Sequence, residues 1–254
     1  MISQTVAPWQ TGFCLGKRGV THEQYEHQQW DFYIHTIPNI VPQNPTVFPI
    51  ALLSAWPRHT DRLPHLEDPC RQQDLVQHFE QQAQRCQQQG WPAAAIEADE
   101  DSLLHALLSP RTSPLSTHED RVSLLLKICQ AVHQHISVWG VTLLVEELCP
   151  GGLDPLAGQK IALAIQKAGS HFIVASAGTK DFPALKWRRA TKKKQEDPDR
   201  TQQTPPVWLA SSLWLRHLPQ LTIPVLAQSP HAVHTDALQQ AKKTGLQGVV
   251  VCNV

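Results

Sequence analysis

The chain has 254 residues, of which 41% are hydrophobic, and this composition excludes a disordered protein. Its 22 basic and 22 acidic residues cancel, which excludes a net charge that would draw the whole molecule to nucleic acid or to an anionic membrane. The six cysteines lack the spacing of a zinc knuckle and the density of a disulfide scaffold, and no apolar run approaches the length of a membrane span, so the sequence predicts a cytoplasmic protein.

Short apolar runs alternate with longer amphipathic segments, a pattern typical of β-α-β units around a parallel sheet. The predicted strands are Ser3–Ala7, Phe32–Ile37, Val47–Leu53, Ala93–Ala98, Trp139–Val145, Phe172–Ser176, Ile223–Ala227 and Gly248–Val251. The clearest predicted helices are Asp74–Gln89, Glu119–Ile136 and Leu156–Ala168, each with one apolar face. Eight strands alternating with seven helices predict one α/β domain over residues 1–254, a single (β/α)8 TIM-type barrel.

A segment at about 180–206 interrupts this alternation, because it carries no hydrophobic period. It is predicted to be a basic, mobile loop. It either docks an anionic partner or is simply a solvated loop, since acidic residues dilute its charge. Its partner-binding candidates are Lys186, Arg188, Arg189, Lys192, Lys193 and Lys194.

Several segments resemble the old yellow enzyme family in their order along the chain. They include Val6-Ala-Pro-Trp, the stretch from Ser102 to Pro110, Cys149-Pro-Gly-Gly-Leu-Asp and Phe172-Ile-Val-Ala-Ser-Ala-Gly. The resemblance covers nearly the whole chain and is strongest after residue 70. It implies a barrel with FMN at its carboxyl-terminal mouth that passes hydride from NAD(P)H to an activated alkene.

The resemblance also implies that the family's catalytic positions are replaced in this chain. Glu97 and Glu100 stand where the family has the His/His or His/Asn pair that binds substrate oxygen. Ser102 stands in place of the active-site tyrosine, and Thr142 in place of the arginine that faces the pyrimidine edge of the flavin. We therefore expect no catalytic residues of the family's kind.

The flavin-binding positions are altered in the same way. Pro8 matches the first-strand motif but is followed by Trp9 and Gln10. Ser229 and Pro230 replace the glycine pair that cradles the phosphate in the family. Asn253 and Val254 stand where the family has a Gly-Arg pair after the last strand. Proline has no N–H to donate to a phosphate, so the sequence predicts no FMN and no other cofactor.

Carboxylates cluster after the fourth and fifth predicted strands, and they would repel a phosphate within a Debye length of about 8 Å. We call this set the acidic lip, and it comprises Glu97, Asp99, Glu100, Asp101, Glu146 and Glu147. Oxygen ligands of this kind suit Mg²⁺ or Ca²⁺, but solvated loop carboxylates are the simpler interpretation, and no metal site is predicted.

These residues leave three hypotheses for function. The first is a non-catalytic barrel, a pseudoenzyme or scaffold that binds a protein partner or another ligand at its mouth. The alternative is a divergent FMN-dependent NAD(P)H oxidoreductase of the ene-reductase kind. A weaker alternative is a metal-assisted enzyme that uses the acidic lip.

The chain ends at Val254, where the eighth strand finishes, so we expect a barrel without its last helix. The outer faces of the first and eighth strands would then need an apolar cover. A protein partner, a second copy of the chain or the segment Phe13–Gln43 is expected to cover this seam.

Overall fold

Eight parallel strands close into one barrel in chain order, and β1 pairs with β8. The structure is a computed structural model that describes residues 13–16, 32–36, 48–55, 66–100, 102–178, 220–229 and 248–253, with side chains for 50–55, 66–100, 102–178 and 220–226. The strands are β1 (Phe13–Gly16), β2 (Phe32–Thr36), β3 (Phe48–Leu53), β4 (Ala93–Ala98), β5 (Val138–Glu146), β6 (Phe172–Ala177), β7 (Val225–Ser229) and β8 (Gly248–Asn253). This confirms the predicted TIM-type barrel.

The first strand was predicted in the wrong place. The first barrel strand is Phe13–Gly16, and the residues predicted for it, Ser3–Ala7, lie outside the described residues. A strand of a parallel barrel is covered on both faces, which suits the run Phe-Cys-Leu better than a segment that begins Ser-Gln-Thr. As a consequence, Pro8, Trp9 and Gln10 precede the first strand in the chain, whereas the prediction had placed them directly after it.

The described helices are α1 (Pro69–Gln88), α2 (Leu103–Leu108), α3 (His118–His133) and α4 (Pro155–Lys167). Each begins at a side-chain cap. The Asp68 and Asp154 carboxylates accept from the backbone N–H of Cys70 and Ala157, and in both helices a proline follows the cap. The start of α1 was predicted five residues too late because this Asp-Pro signal was not used.

Strand alternation divides the core into two parts. Outward side chains such as Ile96, Val141 and Ile173 pack against the apolar faces of the helices, including Phe79 of α1 and Leu125 of α3. Inward side chains form a smaller cluster in the barrel itself. The strands β4, β5 and β6 are buried on both faces, as a parallel sheet requires.

No described helix is long and apolar enough to cross a membrane. The basic loop predicted at 180–206 lies outside the described residues.

Candidate functional site

The side chains that the structure describes in the amino-terminal half of the barrel interior are apolar. Ile50, Val138, Phe172 and Leu226 lie together there, with the small side chains of β4 beside them. The Phe172 ring occupies the space that a side chain at Gly140 would need, so the glycine admits the ring into the interior. This half is a packed core of the kind that closes most barrels of this class.

Polar side chains point into the carboxyl-terminal half of the interior, beside the inward Val174 of β6. Glu97 alternates with the outward residues Ile96 and Ala98, and Thr142 alternates with Val141 and Leu143, so both point inward. Their Cα atoms are partners in the β4–β5 ladder, which places them about 4.8 Å apart. Active sites of such barrels lie at this carboxyl end of the strands.

Both of these inward residues are shielded from solvent. Glu97 is 2% exposed and Thr142 is fully buried. The Thr142 hydroxyl has no hydrogen-bond partner among the described residues, whereas Glu97 interacts electrostatically or by hydrogen bonds within the chain. One level higher, Ser176 on β6 is also buried, and its hydroxyl lies 3.5 Å from the Leu143 carbonyl oxygen.

Most of the acidic lip is buried, so its interpretation as solvated loop carboxylates is wrong for the described residues. Asp99 follows the end of β4 at 2% exposure, and Glu146 ends β5 where the register with β6 shifts. Both make interactions within the chain. Glu100 is half-buried, and Asp101 lies outside the described residues.

Glu147 belongs to a separate network, although it is next to Glu146 in sequence. Its carboxylate accepts from the Ser109 hydroxyl at 2.7 Å and from the Leu153 N–H at 2.6 Å, and it lies 3.2 Å from His105 Nε2. Burial alone would raise the pKa of Glu147, but these hydrogen bonds and the nearby imidazole outweigh it and lower the pKa to about 2. Glu147 therefore ties α2 to the loop after β5 as a structural anion.

Ser102 acts as the cap of α2. Its hydroxyl donates to the Asp99 carbonyl oxygen at 2.7 Å and accepts from the His105 N–H at 3.0 Å. Both of its hydrogen-bonding roles are thus used by the backbone. Sequence reasoning missed this cap, and it also missed the partners of Glu147, although a serine just before the apolar run Leu103–Leu108 is an ordinary helix-start signal.

The four cysteines whose side chains the structure describes, Cys70, Cys86, Cys129 and Cys149, are free thiols. Burial raises the pKa of Cys86 to about 11 and that of Cys129 to about 12, so neither forms a thiolate near neutral pH. Cys149 is half-buried and accepts from the Arg111 guanidinium at 3.1 Å. This contact lies beside the Glu147 network, outside the barrel interior.

The remaining predicted site residues fall into two groups. Ser229 and Asn253 end β7 and β8, so the structure places their backbone at the same mouth as Glu97 and Thr142. The others lie outside the described residues: Pro8, Trp9, Gln10, Pro230, Lys186, Arg188, Arg189, Lys192, Lys193 and Lys194. Across the part of the chain that is described, no three His, Cys, Asp or Glu side chains converge as a metal site would require.

Comparisons with known proteins bear on this barrel only through its shape. No protein-family model and no curated protein matches the sequence. Among solved structures, a 2-naphthoyl-CoA reductase in complex with 2-naphthoyl-CoA matches with a TM-score of 0.57 at 16% identity, covering 73% of this chain and 27% of that one. Morphinone reductase in complex with tetrahydroNAD matches with a TM-score of 0.53 at 14% identity, over 73% of this chain and 46% of the reductase.

An old yellow enzyme homologue from Zymomonas mobilis matches over more of both chains. Its TM-score is 0.56 at 12% identity, and the match covers 87% of this chain and 75% of the homologue. The chain thus spans about a quarter to three quarters of the proteins it resembles. At such identities the likeness concerns the fold alone, and that fold is the barrel of the old yellow enzymes.

Proposed function

We propose that this protein is an old-yellow-enzyme-like barrel that works without FMN, as a non-catalytic scaffold that binds a ligand or a protein partner at its mouth. One observation carries the proposal. At the position that the resemblance assigns to the flavin-facing arginine, the chain has Thr142, buried and paired in register with the carboxylate of Glu97.

FMN fits the described residues poorly. A reduced flavin develops negative charge along its N1 and C2 oxygen edge, and it needs a cation or oriented donors there. Thr142 offers one neutral hydroxyl, and the neighbouring strand presents the Glu97 side chain, an acid. The eight strands, as the structure bounds them, contain no lysine or arginine. We therefore derive no chemical step through a flavin.

A divergent FMN-dependent NAD(P)H oxidoreductase is the second candidate. It is favoured by the similar solved structures, since two of those named above are reductases and one of them holds tetrahydroNAD. In this case the flavin would be held by residues that the resemblance does not match, among them those outside the described part of the chain.

An FMN titration separates the two candidates. The purified chain is titrated with FMN by calorimetry, with morphinone reductase stripped of its cofactor as the positive control. NADPH oxidation with 2-cyclohexenone is followed on the same samples. The proposal predicts no saturable FMN binding and no turnover by this chain. Micromolar FMN binding at one site per chain contradicts it and supports the oxidoreductase.

The protein-partner form of the proposal concerns two regions whose side chains the structure does not describe. The basic segment with Lys192, Lys193 and Lys194 would capture an anionic partner by charge. Neutralising these three lysines should weaken capture and flatten its salt dependence, and unchanged capture removes the segment from the proposal.

The seam between β1 and β8 is the other surface, and we propose that a partner or a second copy covers it. Size-exclusion chromatography with light scattering tests this version. A monomer that binds no apolar dye contradicts it.

A further inference from the structure

The fold of the chain gives the buried Thr142 hydroxyl no hydrogen-bonding role among the described residues. The hydroxyl is fully buried and points into the barrel. Buried hydroxyls almost always have a partner, and leaving one unsatisfied costs about 1–3 kcal/mol. Valine has the same shape and would avoid this cost. A threonine here indicates a group that is bound at this level of the barrel.

The wall around this hydroxyl carries carboxylates beside apolar side chains. Glu97 is its register neighbour, and Glu146 ends the same strand two interior positions above. Val174 of β6 is the other register neighbour of Thr142, and the inward Leu144 lies between Thr142 and Glu146. The strands supply these two carboxylates and no lysine or arginine. In the low dielectric of a buried site, Coulomb interactions are several times stronger than in water. Glu97 already interacts within the chain, and its carboxylate would favour a bound cation over a bound anion.

We propose that the carboxyl-terminal half of the barrel interior binds the protonated amine of a small organic molecule, with Thr142 and Glu97 as its hydrogen-bond acceptors. An ammonium group has three donors and no acceptor, which matches a hydroxyl and carboxylates. A divalent metal suits the described residues less well, since no three ligating side chains converge among them. The inference deepens the proposed function, because it rests on a mouth that holds a ligand other than FMN.

Calorimetric titration with n-butylammonium tests this proposal, with 1-butanol as the neutral probe and butyrate as the anionic one. The matched variants are Thr142→Val, which keeps shape and removes the hydroxyl, and Glu97→Gln, which removes charge. Glu119→Gln is the control, because Glu119 is exposed on α3. Wild type and the control should bind the ammonium probe. Glu97→Gln should bind it at least about tenfold more weakly and Thr142→Val several-fold more weakly.

The outcomes separate this inference from the function it rests on. No binding of n-butylammonium, equal binding of 1-butanol, or equal loss in the Glu119→Gln control overturns the amine site and leaves a flavin-free barrel intact. FMN binding in a parallel titration overturns both. If Glu97→Gln does not fold, Thr142→Val decides, since an isosteric change inside the barrel should leave the melting temperature in place. Unchanged amine affinity in that variant contradicts the proposal.

Discussion

The two halves of the barrel interior are built from the same strands, but they differ in the polarity of the side chains that point inward. In the amino-terminal half, Ile50, Phe172 and Leu226 fill the space between the strands with apolar contacts. In the carboxyl-terminal half, the same alternation along β4 and β5 delivers Glu97 and Thr142 to a buried position. Packing accounts for the side chains that the structure describes in the first half. The second half carries buried polar groups that packing does not require, and this difference separates the part that folds the chain from the part that we propose binds a ligand.

Truncating Phe172, which packs in the amino-terminal half of the interior, should have the largest effect on stability. Phe172→Ala removes the ring that packs over Gly140 and leaves a cavity, so the free energy of unfolding should fall by about 3–5 kcal/mol. Urea denaturation followed by circular dichroism measures this. Leu156→Ala on α4 is the control, because Leu156 is 54% exposed, and it should cost well under about 1 kcal/mol. Similar losses of unfolding free energy in both variants would show that Phe172 does not fill the barrel interior.

The Glu147 network gives the next largest effect, and its sign depends on pH. The folded pKa of about 2 lies below the ordinary value of 4.5 for a glutamate, so the stabilisation is fully present above that ordinary value. It is lost as the pH falls toward the folded pKa, and it amounts to about 3 kcal/mol near neutral pH.

Glu147→Gln tests this directly. The variant should be less stable than wild type at neutral pH by about 1–3 kcal/mol, because it keeps some hydrogen bonds but loses the charge. The gap between the two proteins should narrow as urea denaturation is repeated at increasingly acidic pH. Glu119→Gln, on the exposed surface of α3, should show a small difference at every pH. A gap for Glu147→Gln that does not change with pH would contradict the low pKa.

The smallest expected effect on stability is that of Thr142→Val, which is compared with a change at a second buried hydroxyl, Ser109. Ser109 donates to Glu147 at 2.7 Å, whereas the Thr142 hydroxyl has no partner among the described residues. Ser109→Ala should therefore cost about 1–3 kcal/mol, because it leaves a buried carboxylate short of a donor. Thr142→Val should leave the free energy of unfolding unchanged or raise it slightly. A clear loss of stability in Thr142→Val would mean that the hydroxyl serves the fold.

The sequence was sufficient for the barrel, because runs such as Ala93–Ala98 and Phe172–Ser176 are mostly apolar and alternate with amphipathic helices. It was insufficient for β1, whose four residues are too short for any periodicity. The first strand was therefore placed on a weak local pattern at Ser3–Ala7, and this placement was wrong.

The candidate site was predictable only in part. The sequence placed Glu97 and Thr142 at the mouth, but it did not show that they are buried side by side, since that depends on the register of β4 against β5. It also grouped Glu146 with Glu147. Alternation along β5 separates them, because Val145 points outward and the next residue inward, so neighbours in sequence face different parts of the molecule.

The most direct test of the central claim is the flavin content of the protein purified from cells supplied with riboflavin. We expect no flavin absorption in the visible spectrum and no FMN released on denaturation, because the position that the resemblance assigns to the flavin-facing arginine holds Thr142, whose register neighbour is Glu97. One FMN per chain would contradict the account.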